Sequence, residues 1–286
     1  MADHTQIATL PFIFAELNES AESLHAQDIN AQELLAIYND YLSRINELQD
    51  IASLVANFLM RQEDVHAVRH RVKAPLHLLR KIIRKKKEYP ERCLTTSNYL
   101  EYINDLVGVR ILHLYKDDCY KIGRYIRQVW ELKRKPYAYV KGEYTTLARQ
   151  FSSDNYEVFI NPKGYQAEHY IIKIRPNKQL YFVEVQVKTL FEEGWSEVDH
   201  CLRYHDHNPS ELLNRLLWLL NQFTANADQV ATQIRALVEE LREYKHNPPL
   251  NSGITNAQLR SHINKLPVDE QEKQYLYTCL ASITGH

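Results

Sequence analysis

Tyr181-Phe-Val-Glu-Val-Gln-Val-Lys-Thr189 alternates apolar and polar side chains from Val183 to Lys188, and Phe182 falls on the polar side of the pattern. Read as a strand, it places the tyrosine and the three valines on one face, and Glu184, Gln186 and Lys188 on the other. A carboxylate, an amide and an ammonium group cannot be buried in a row without partners, because each would cost kilocalories per mole. This face is therefore either solvated or the floor of a polar site.

A second segment with matching chemistry precedes it in the chain. Asp105 stands just before an apolar stretch that reads as a strand and contains Gly108 and Arg110. Glycine weakens a strand and often marks the place where a ligand approaches closely. A third segment, residues 161–169, reads as a turn that leads into a further strand and carries an aromatic ring. Two carboxylates, several cations and a ring suit a metal-bound polyphosphate with a stacked base.

Residues 69–87 supply more positive charge and contain no acid. If this run is a helix, Lys73, Lys81 and Lys85 share one face. Such a run can also be a solvated face or a weak nucleic-acid patch, and both interpretations stay open. The chain as a whole has 35 Lys and Arg against 36 Asp and Glu, so the basicity is local. A local basic stripe favours a localised anionic ligand.

Five motifs in these segments resemble the synthetase domain of the RelA/SpoT alarmone enzymes over roughly residues 65–208. In chain order they are Arg71-x-Lys73 with Lys81, Asp105-x-x-Gly108-x-Arg110, Gly164-Tyr165-x-x-x-His169, Glu184-Val-Gln186-Val-Lys188-Thr189 and Trp195-x4-His200. The resemblance implies an α+β fold with a nucleotidyltransferase-like mixed β-sheet flanked by helices. It also implies a GTP pyrophosphokinase that transfers pyrophosphate from ATP to the 3′-OH of GTP or GDP, which makes (p)ppGpp and releases AMP.

The same resemblance assigns the catalytic centre and the donor site. Asp105 and Glu184 would hold Mg²⁺, Glu184 would also polarise or deprotonate the acceptor hydroxyl, and Gln186 would support them. The residues implied for ATP binding are Arg71 and Arg110, which would sandwich the adenine, and Lys73, Lys81 and Arg84, which would bind the phosphates.

On the acceptor side, Tyr165 would stack on the base, and Lys163 and His169 would contact phosphates or hold the site together. The sequence departs from the family's usual pattern here, because residues 166–168 are Gln-Ala-Glu where Arg-Ser-hydrophobic is common. A guanosine nucleotide is the default acceptor, and an adenosine nucleotide or a tRNA 3′ end, as in toxic relatives, stays open. A non-catalytic nucleotide-binding or RNA-binding module is the other alternative, although both Asp105 and Glu184 are present.

Apolar residues recur with helical spacing on both flanks, over residues 34–59 and 213–241, and less clearly over 256–283. We therefore expect an N-terminal helical segment (1–64), the synthetase domain (65–208) and a C-terminal helical segment (209–286). These long helices either pack on the sheet and on each other, or form a homo-oligomer or a surface for a partner such as an antitoxin protein.

Composition favours a cytoplasmic enzyme. A chain of 286 residues with 44% hydrophobic content can bury a sizeable core, and its four cysteines show no paired spacing. Its N-terminus does not read as a signal peptide, and no apolar run approaches the roughly 20 residues of a membrane span. The stretch 199–207 is rich in metal-ligand residue types, but too little sequence precedes the basic run for the hydrolase found in longer relatives.

Overall fold

The six strands of the protein form one mixed sheet in the computed structural model, which describes residues 8–141, 146–205, 210–246 and 252–284. The strands are β1 (Ala67–Val72), β2 (Val107–His113), β3 (Tyr137–Val140), β4 (Glu157–Ile160), β5 (Ala167–Ile174) and β6 (Tyr181–Thr189). Their order across the sheet is β1-β2-β6-β5-β3-β4. The β2–β6 and β3–β4 pairs are parallel, and the other neighbours are antiparallel.

Helices flank this sheet and extend from both of its ends, which confirms the predicted α+β class. They are α1 (Leu10–Leu17), α2 (Ala21–Ala26), α3 (Ala31–Leu59), α4 (Pro75–Glu88), α5 (Tyr99–Tyr102), α6 (Asp118–Val129), α7 (Thr146–Ser153), α8 (Leu190–His205), α9 (Glu211–His246), α10 (Ser252–Asn264) and α11 (Glu270–Thr284). No helix in the described ranges is long and apolar enough to cross a membrane.

The alternating stretch is the strand β6, as predicted. Its three valines are fully buried in the core shared with α3, whereas Glu184 and Gln186 on the other face stay partly accessible. This second face is therefore the floor of a polar site. The strands predicted after Asp105 and after the turn at 161–169 are also present, as β2 and β5.

The basic run, considered above as one possible helix, is helical only in its second part. Residues 67–72 form the edge strand β1, and the helix α4 starts only at Pro75. Proline fixes its own φ and disfavours a helical conformation in the residue before it, so the helix begins there. Lys73 consequently lies in the connection between β1 and α4, and Lys81 lies on the helix.

The predicted N-terminal helix is α3, whose inner face packs against β1 and β2. All of its predicted seam positions are buried except Ile45, which packs at the margin of the core. The hydroxyl of Tyr41 on α3 donates a hydrogen bond of 2.7 Å to the carbonyl oxygen of Lys73. This helix therefore fixes the backbone of a residue that the sequence assigns to the site.

The C-terminal helix α9 is present, but its predicted apolar seam does not pack as expected. Leu216, Phe223 and Ile234 are 53%, 68% and 54% exposed. The helix instead turns the polar residues Asn221 and Asp228 inward, because they bond to the ends of the sheet and its loops. A homo-oligomer through the terminal helices stays a prediction. Residues 256–283 divide between α10 and α11, which share a small core with the end of α9.

Candidate active site

Strand pairing brings the predicted site residues together in two rows across the sheet. Arg71, Gly108 and Glu184 lie side by side on β1, β2 and β6. In the next row, Arg110 on β2 pairs with Gln186 on β6. A Cβ at position 108 would lie 3.8 Å from Cγ of Arg71. The glycine therefore leaves open the space beside the Arg71 side chain on this face of the sheet.

A cavity of about 210 Å³ opens on this face of the sheet, and both predicted metal-binding carboxylates line it. Its lining residues are Arg69, His70, Arg71, Asp105, Gly108, Val109, Arg110, Glu184, Gln186 and Glu197. The cavity thus combines carboxylates with guanidinium groups on a floor of backbone. This combination suits an anionic ligand that carries its own cation.

Asp105 is held by two ammonium groups. Its Oδ2 lies 2.9 Å from Lys73 Nζ and 2.6 Å from Lys81 Nζ. Burial alone would raise the pKa of Asp105, but Lys81 and Lys73 outweigh it and hold that pKa below its ordinary value. The other oxygen, Oδ1, is buried and accepts no hydrogen bond from the described residues. A metal ion would satisfy this orphaned oxygen.

Glu184 belongs to a short polar chain that leads to the predicted acceptor ring. Gln186 Nε2 donates a hydrogen bond of 3.1 Å to Glu184 Oε2, and His169 Nδ1 lies 3.5 Å from Oε1. His169 Nε2 is in turn 3.0 Å from the hydroxyl of Tyr165. Burial acts to raise the pKa of Glu184, but His169 and Gln186 overcome it, so that pKa is lowered. The carboxyl is therefore ionised at neutral pH.

Arg110 is fixed by acids that the sequence motifs did not point to. Its Nη1 donates a hydrogen bond of 2.6 Å to Glu193 Oε1 and also bonds Glu197. Arg69 Nη1 is 3.8 Å from the same Glu193. Both acids lie in α8 one turn apart, and they orient the guanidinium of Arg110 at the cavity. Arg71 lines the cavity from the neighbouring strand.

Lys188 is buried in an ion pair. Its Nζ is 3.2 Å from Glu193 Oε2 and donates to Ser196 Oγ at 3.2 Å. Burial is the main cause that lowers the pKa of Lys188. The same ammonium lies 5.0 Å from the centre of the Tyr165 ring. Lys188 therefore makes a cation–π contact with one face of the Tyr165 ring.

The predicted acceptor turn, residues 161–166, is held by α8 and α9. Gly164 has φ +83°, which favours glycine, and a Cβ there would come within 2.7 Å of Asn221 Oδ1 on α9. Asn221 Nδ2 donates to the carbonyl oxygen of Gly164 at 3.3 Å. The backbone N–H of Gln166 donates to Glu192 Oε1 at 3.1 Å. Two distant helices thus determine where Tyr165 stands.

Six of the eleven predicted site residues do not line the cavity, and two of these six, Arg84 and Lys163, are exposed. Arg84 is exposed on α4 and its Nε is 3.5 Å from Glu88 Oε1. Lys163 is exposed on the turn. Their assignments to ATP phosphates and to the acceptor stay predictions. Lys73, Lys81 and His169 contact carboxylates that line the cavity, and Tyr165 is joined to it through His169.

Sequence reasoning missed four polar residues that hold the site. Glu193 and Glu197 follow β6 at a spacing of one helical turn, so their common face could have been predicted. Glu192 is adjacent to them but points to the acceptor turn. Asn221 had no signal in the sequence, because it lies more than fifty positions from the glycine that it contacts.

A separate cluster of three or more metal-ligand side chains does not occur among the described residues. In the stretch 199–207, Asp206 and His207, together with the side chain of His205, lie outside what the structure describes. The assignment of Asp105 and Glu184 as metal ligands stays a prediction.

Comparisons with known proteins point to one family. A sequence profile described as the region found in RelA / SpoT proteins matches residues 70–209. GTP pyrophosphokinase YwaC of Bacillus subtilis is 24% identical over 188 residues, which cover 64% of this chain and 80% of that protein.

Two solved structures resemble the chain with a TM-score of 0.50 each. The small alarmone synthetase 1 from Bacillus subtilis is 18% identical, and the match covers 70% of this chain and 95% of that one. A protein from Streptococcus mutans UA159 is 20% identical, with 71% and 96% covered. At these identities the two structures show a shared fold.

Proposed function

We propose that this chain, a member of the RelA/SpoT family through its residues 70–209, is a GTP pyrophosphokinase. It transfers the β,γ-pyrophosphate of ATP to the 3′-OH of GTP or GDP and releases AMP. The observation that carries the proposal is the pair of carboxylates, Asp105 and Glu184, in one cavity with Arg71 and Arg110. The curated relative YwaC, whose name states this activity, supports it.

The residues present fit a divalent metal ion. Asp105 and Glu184 offer the hard oxygen ligands that Mg²⁺ prefers, and Asp105 Oδ1 is buried without a hydrogen bond from the described residues. Substrate phosphates and water would complete the coordination of such an ion. When bound, the ion would neutralise charge on the transferred phosphates.

The donor-side residues bind and align ATP. Lys73 and Lys81 hold Asp105 from one side, where they can also reach phosphate oxygens. Arg71 and Arg110 present planar guanidinium groups, which stack on an adenine ring in a way that lysine cannot. Because the carboxylates of α8 already fix Arg110, less rotational entropy is lost when the adenine binds.

Glu184 receives the acceptor hydroxyl. Its lowered pKa keeps the carboxylate ionised, so it can accept a hydrogen bond, and then the proton, from the 3′-OH. Gln186 and His169 hold the two oxygens in place. Alignment and charge neutralisation then supply most of the rate acceleration, as in other phosphoryl transfers.

Tyr165 offers its ring to the acceptor base. The ring is held by His169 and lies near Tyr139 and Lys188, and an aromatic stack on a base contributes about 1–3 kcal/mol. Two of the three departures from the family pattern, Ala167 and Glu168, are buried in β5. They therefore change the acceptor surface little, which favours a guanosine nucleotide over the adenosine and tRNA alternatives.

The test is an incubation of the protein with γ-labelled ATP, Mg²⁺ and each of GTP, GDP, GMP, ATP, ADP and tRNA. We expect AMP and a labelled guanosine 3′-pyrophosphate with GTP and GDP. A labelled 3′-pyrophosphate of ADP or ATP, or labelled tRNA, would instead replace the proposed acceptor, and the absence of any labelled product besides the starting ATP would contradict the enzyme assignment.

Asp105→Asn and Glu184→Gln should each lower turnover at least about 100-fold, since an amide binds Mg²⁺ poorly and cannot take the proton. Glu101→Gln, which changes an exposed carboxylate away from the cavity, is the matched control and should keep wild-type turnover. Near-wild-type turnover of either site variant would refute the metal assignment.

A further inference from the structure

A second and larger cavity lies between the N-terminal helices and α4. Its volume is about 640 Å³, within the range of roughly 300–1,000 Å³ that is typical of small-molecule sites. It is formed by α2, the start of α3, the end of α4 and residues 92–103. None of its lining residues belongs to the catalytic cavity.

The inner wall of this second cavity is apolar. Leu34 and Ile82 are buried, and Leu94 and Ile103 extend the same surface. Tyr102 stands at the mouth and is half exposed. An apolar wall beside an accessible ring accommodates a flat hydrophobic group better than a hydrated ion.

Cations stand at the edge of this wall. The side chain of Lys86 is only 10% exposed, and its Nζ lies 2.7 Å from the carboxylate of Asp28, which is 90% exposed. Arg92 stacks 4.0 Å from the centre of the Tyr89 ring and 6.0 Å from that of Tyr102. Lys86 Nζ also donates to the Pro90 carbonyl oxygen at 2.7 Å, and because its acid partner is in water it can exchange this partner for a ligand anion.

The acids of this cavity do not cancel its attraction for anions. Glu33 accepts hydrogen bonds from the backbone N–H of Thr96 at 2.5 Å and from its hydroxyl at 2.6 Å. Its carboxylate is thus occupied in holding the turn at 95–98. Asp28 projects into solvent. Lys86 and Arg92 remain as the groups that a phosphate can contact.

We propose that the second cavity binds a small ligand in which a flat ring is joined to a phosphate, such as a mononucleotide. The apolar wall and the Tyr102 ring receive the base, and Lys86 and Arg92 receive the phosphate. This site goes beyond the proposed catalytic function, because it uses none of the residues assigned to the reaction.

Cys93 provides a direct probe, because it lines the second cavity and is exposed. In the full-length protein, maleimide labelling of Cys93 and of Cys201, another exposed cysteine, is followed by peptide mass spectrometry. We expect AMP or GMP to slow labelling of Cys93 at least fivefold and to leave Cys201 unchanged. Inorganic phosphate or adenosine alone should protect Cys93 less. Equal labelling rates with and without nucleotide would overturn the proposal.

Variants separate this site from the catalytic cavity. Arg92→Ala and Lys86→Ala should remove most of the protection, whereas Lys87→Ala, an exposed neighbour on α4, should keep it. Arg92 is itself partly exposed, so its variant is expected to fold even if Lys86→Ala does not. Protection that persists in Arg92→Ala, or that disappears in Arg71→Ala, would assign the effect to another site and refute the proposal.

Discussion

On the proposed donor side, Lys73 and Lys81 both contact Asp105, and the three residues come from one stretch of the chain. The acceptor turn is held differently. Its position depends on Glu192 and Asn221, which belong to two helices that follow the sheet. The ion pairs of Asp105 therefore join residues 73–105 of the chain, whereas Arg110 and the predicted acceptor turn are both held by helices that follow the sheet.

We therefore expect the KM values of the two proposed substrates to respond to substitutions in different parts of the chain. A substitution in α9 can alter the predicted acceptor turn without touching the cavity, whereas the predicted donor residues are reached from α3 through Lys73 and from α8 through Arg110. Separate measurements of KM for ATP and for the guanosine nucleotide test the distinction.

Tyr165→Ala should produce the largest difference between the change in the acceptor KM and the change in the KM for ATP. Loss of one aromatic stack costs about 1–3 kcal/mol, so the KM of the acceptor should rise roughly 5- to 150-fold with little change for ATP. Tyr165→Phe keeps the ring and loses the bond to His169, so it should retain most of the function if stacking dominates. A lower Tm with equal effects on both substrates would show that the ring only packs.

Arg71→Ala should change the KM for ATP more than the KM of the acceptor. Removal of one guanidinium from the adenine costs about 0.5–2 kcal/mol, which raises the KM for ATP roughly 2- to 30-fold and spares the acceptor. Arg71 is a better choice than Arg110, whose loss would leave two carboxylates of α8 without their partner. Arg84→Ala, outside the cavity, should have a smaller effect. An acceptor-only effect of Arg71→Ala would mean that the two sides are reversed.

Asn221→Ala tests control from a distance. It removes one hydrogen bond to Gly164, worth about 0.5–1.5 kcal/mol, so the acceptor KM should rise roughly 2- to 12-fold while the KM for ATP is unchanged. Gln222→Ala on the next position of α9 is the matched control and should behave as wild type. Equal changes in both KM values would argue that α9 stabilises the fold and not the turn.

The last effect concerns stability and leaves both KM values unchanged. Glu168 follows the acceptor turn but is buried on the opposite face of β5, and burial raises its pKa to about 8. The folded protein therefore holds a proton that the unfolded chain releases near pH 4.5, so stability falls as pH rises from about 4.5 to 8. The slope from this group is at most about 1.4 kcal/mol per pH unit. Urea unfolding of Glu168→Gln at pH 5 and pH 8 should lack this decrease, and parallel curves for the two proteins would contradict it.

Local patterns in the sequence predicted the parts of the fold that are built locally. The alternation in β6 identified a buried face and a polar face, and the seam of α3 identified a core helix. The strand β1 was not predicted, because its arginines and the lysines of α4 form one uninterrupted basic run. The strands β3 and β4 have only four residues each, which is too short for a periodic signal.

Long-range contacts of the site could not be predicted in the same way. The sequence motifs include Asp105 and Glu184. They do not include the acids that orient Arg110 or the asparagine that holds the turn. Periodicity suggested an apolar inner face for α9, whereas hydrogen bonds of buried polar residues determine its orientation. Pairwise bonds between distant residues leave no period in a single sequence.

The parallel pairing of β2 with β6 has a consequence for how activity arises during folding. Val107 pairs with Val183, more than seventy positions further along the chain, and this pairing is what places Gly108 beside Glu184. Parallel strands require a long crossover, and closing a long loop is slow compared with forming a helix. The floor of the cavity therefore forms only after most of the sheet has been synthesised. An incomplete chain emerging from the ribosome therefore lacks the site of the proposed reaction, and activity should appear only late in folding.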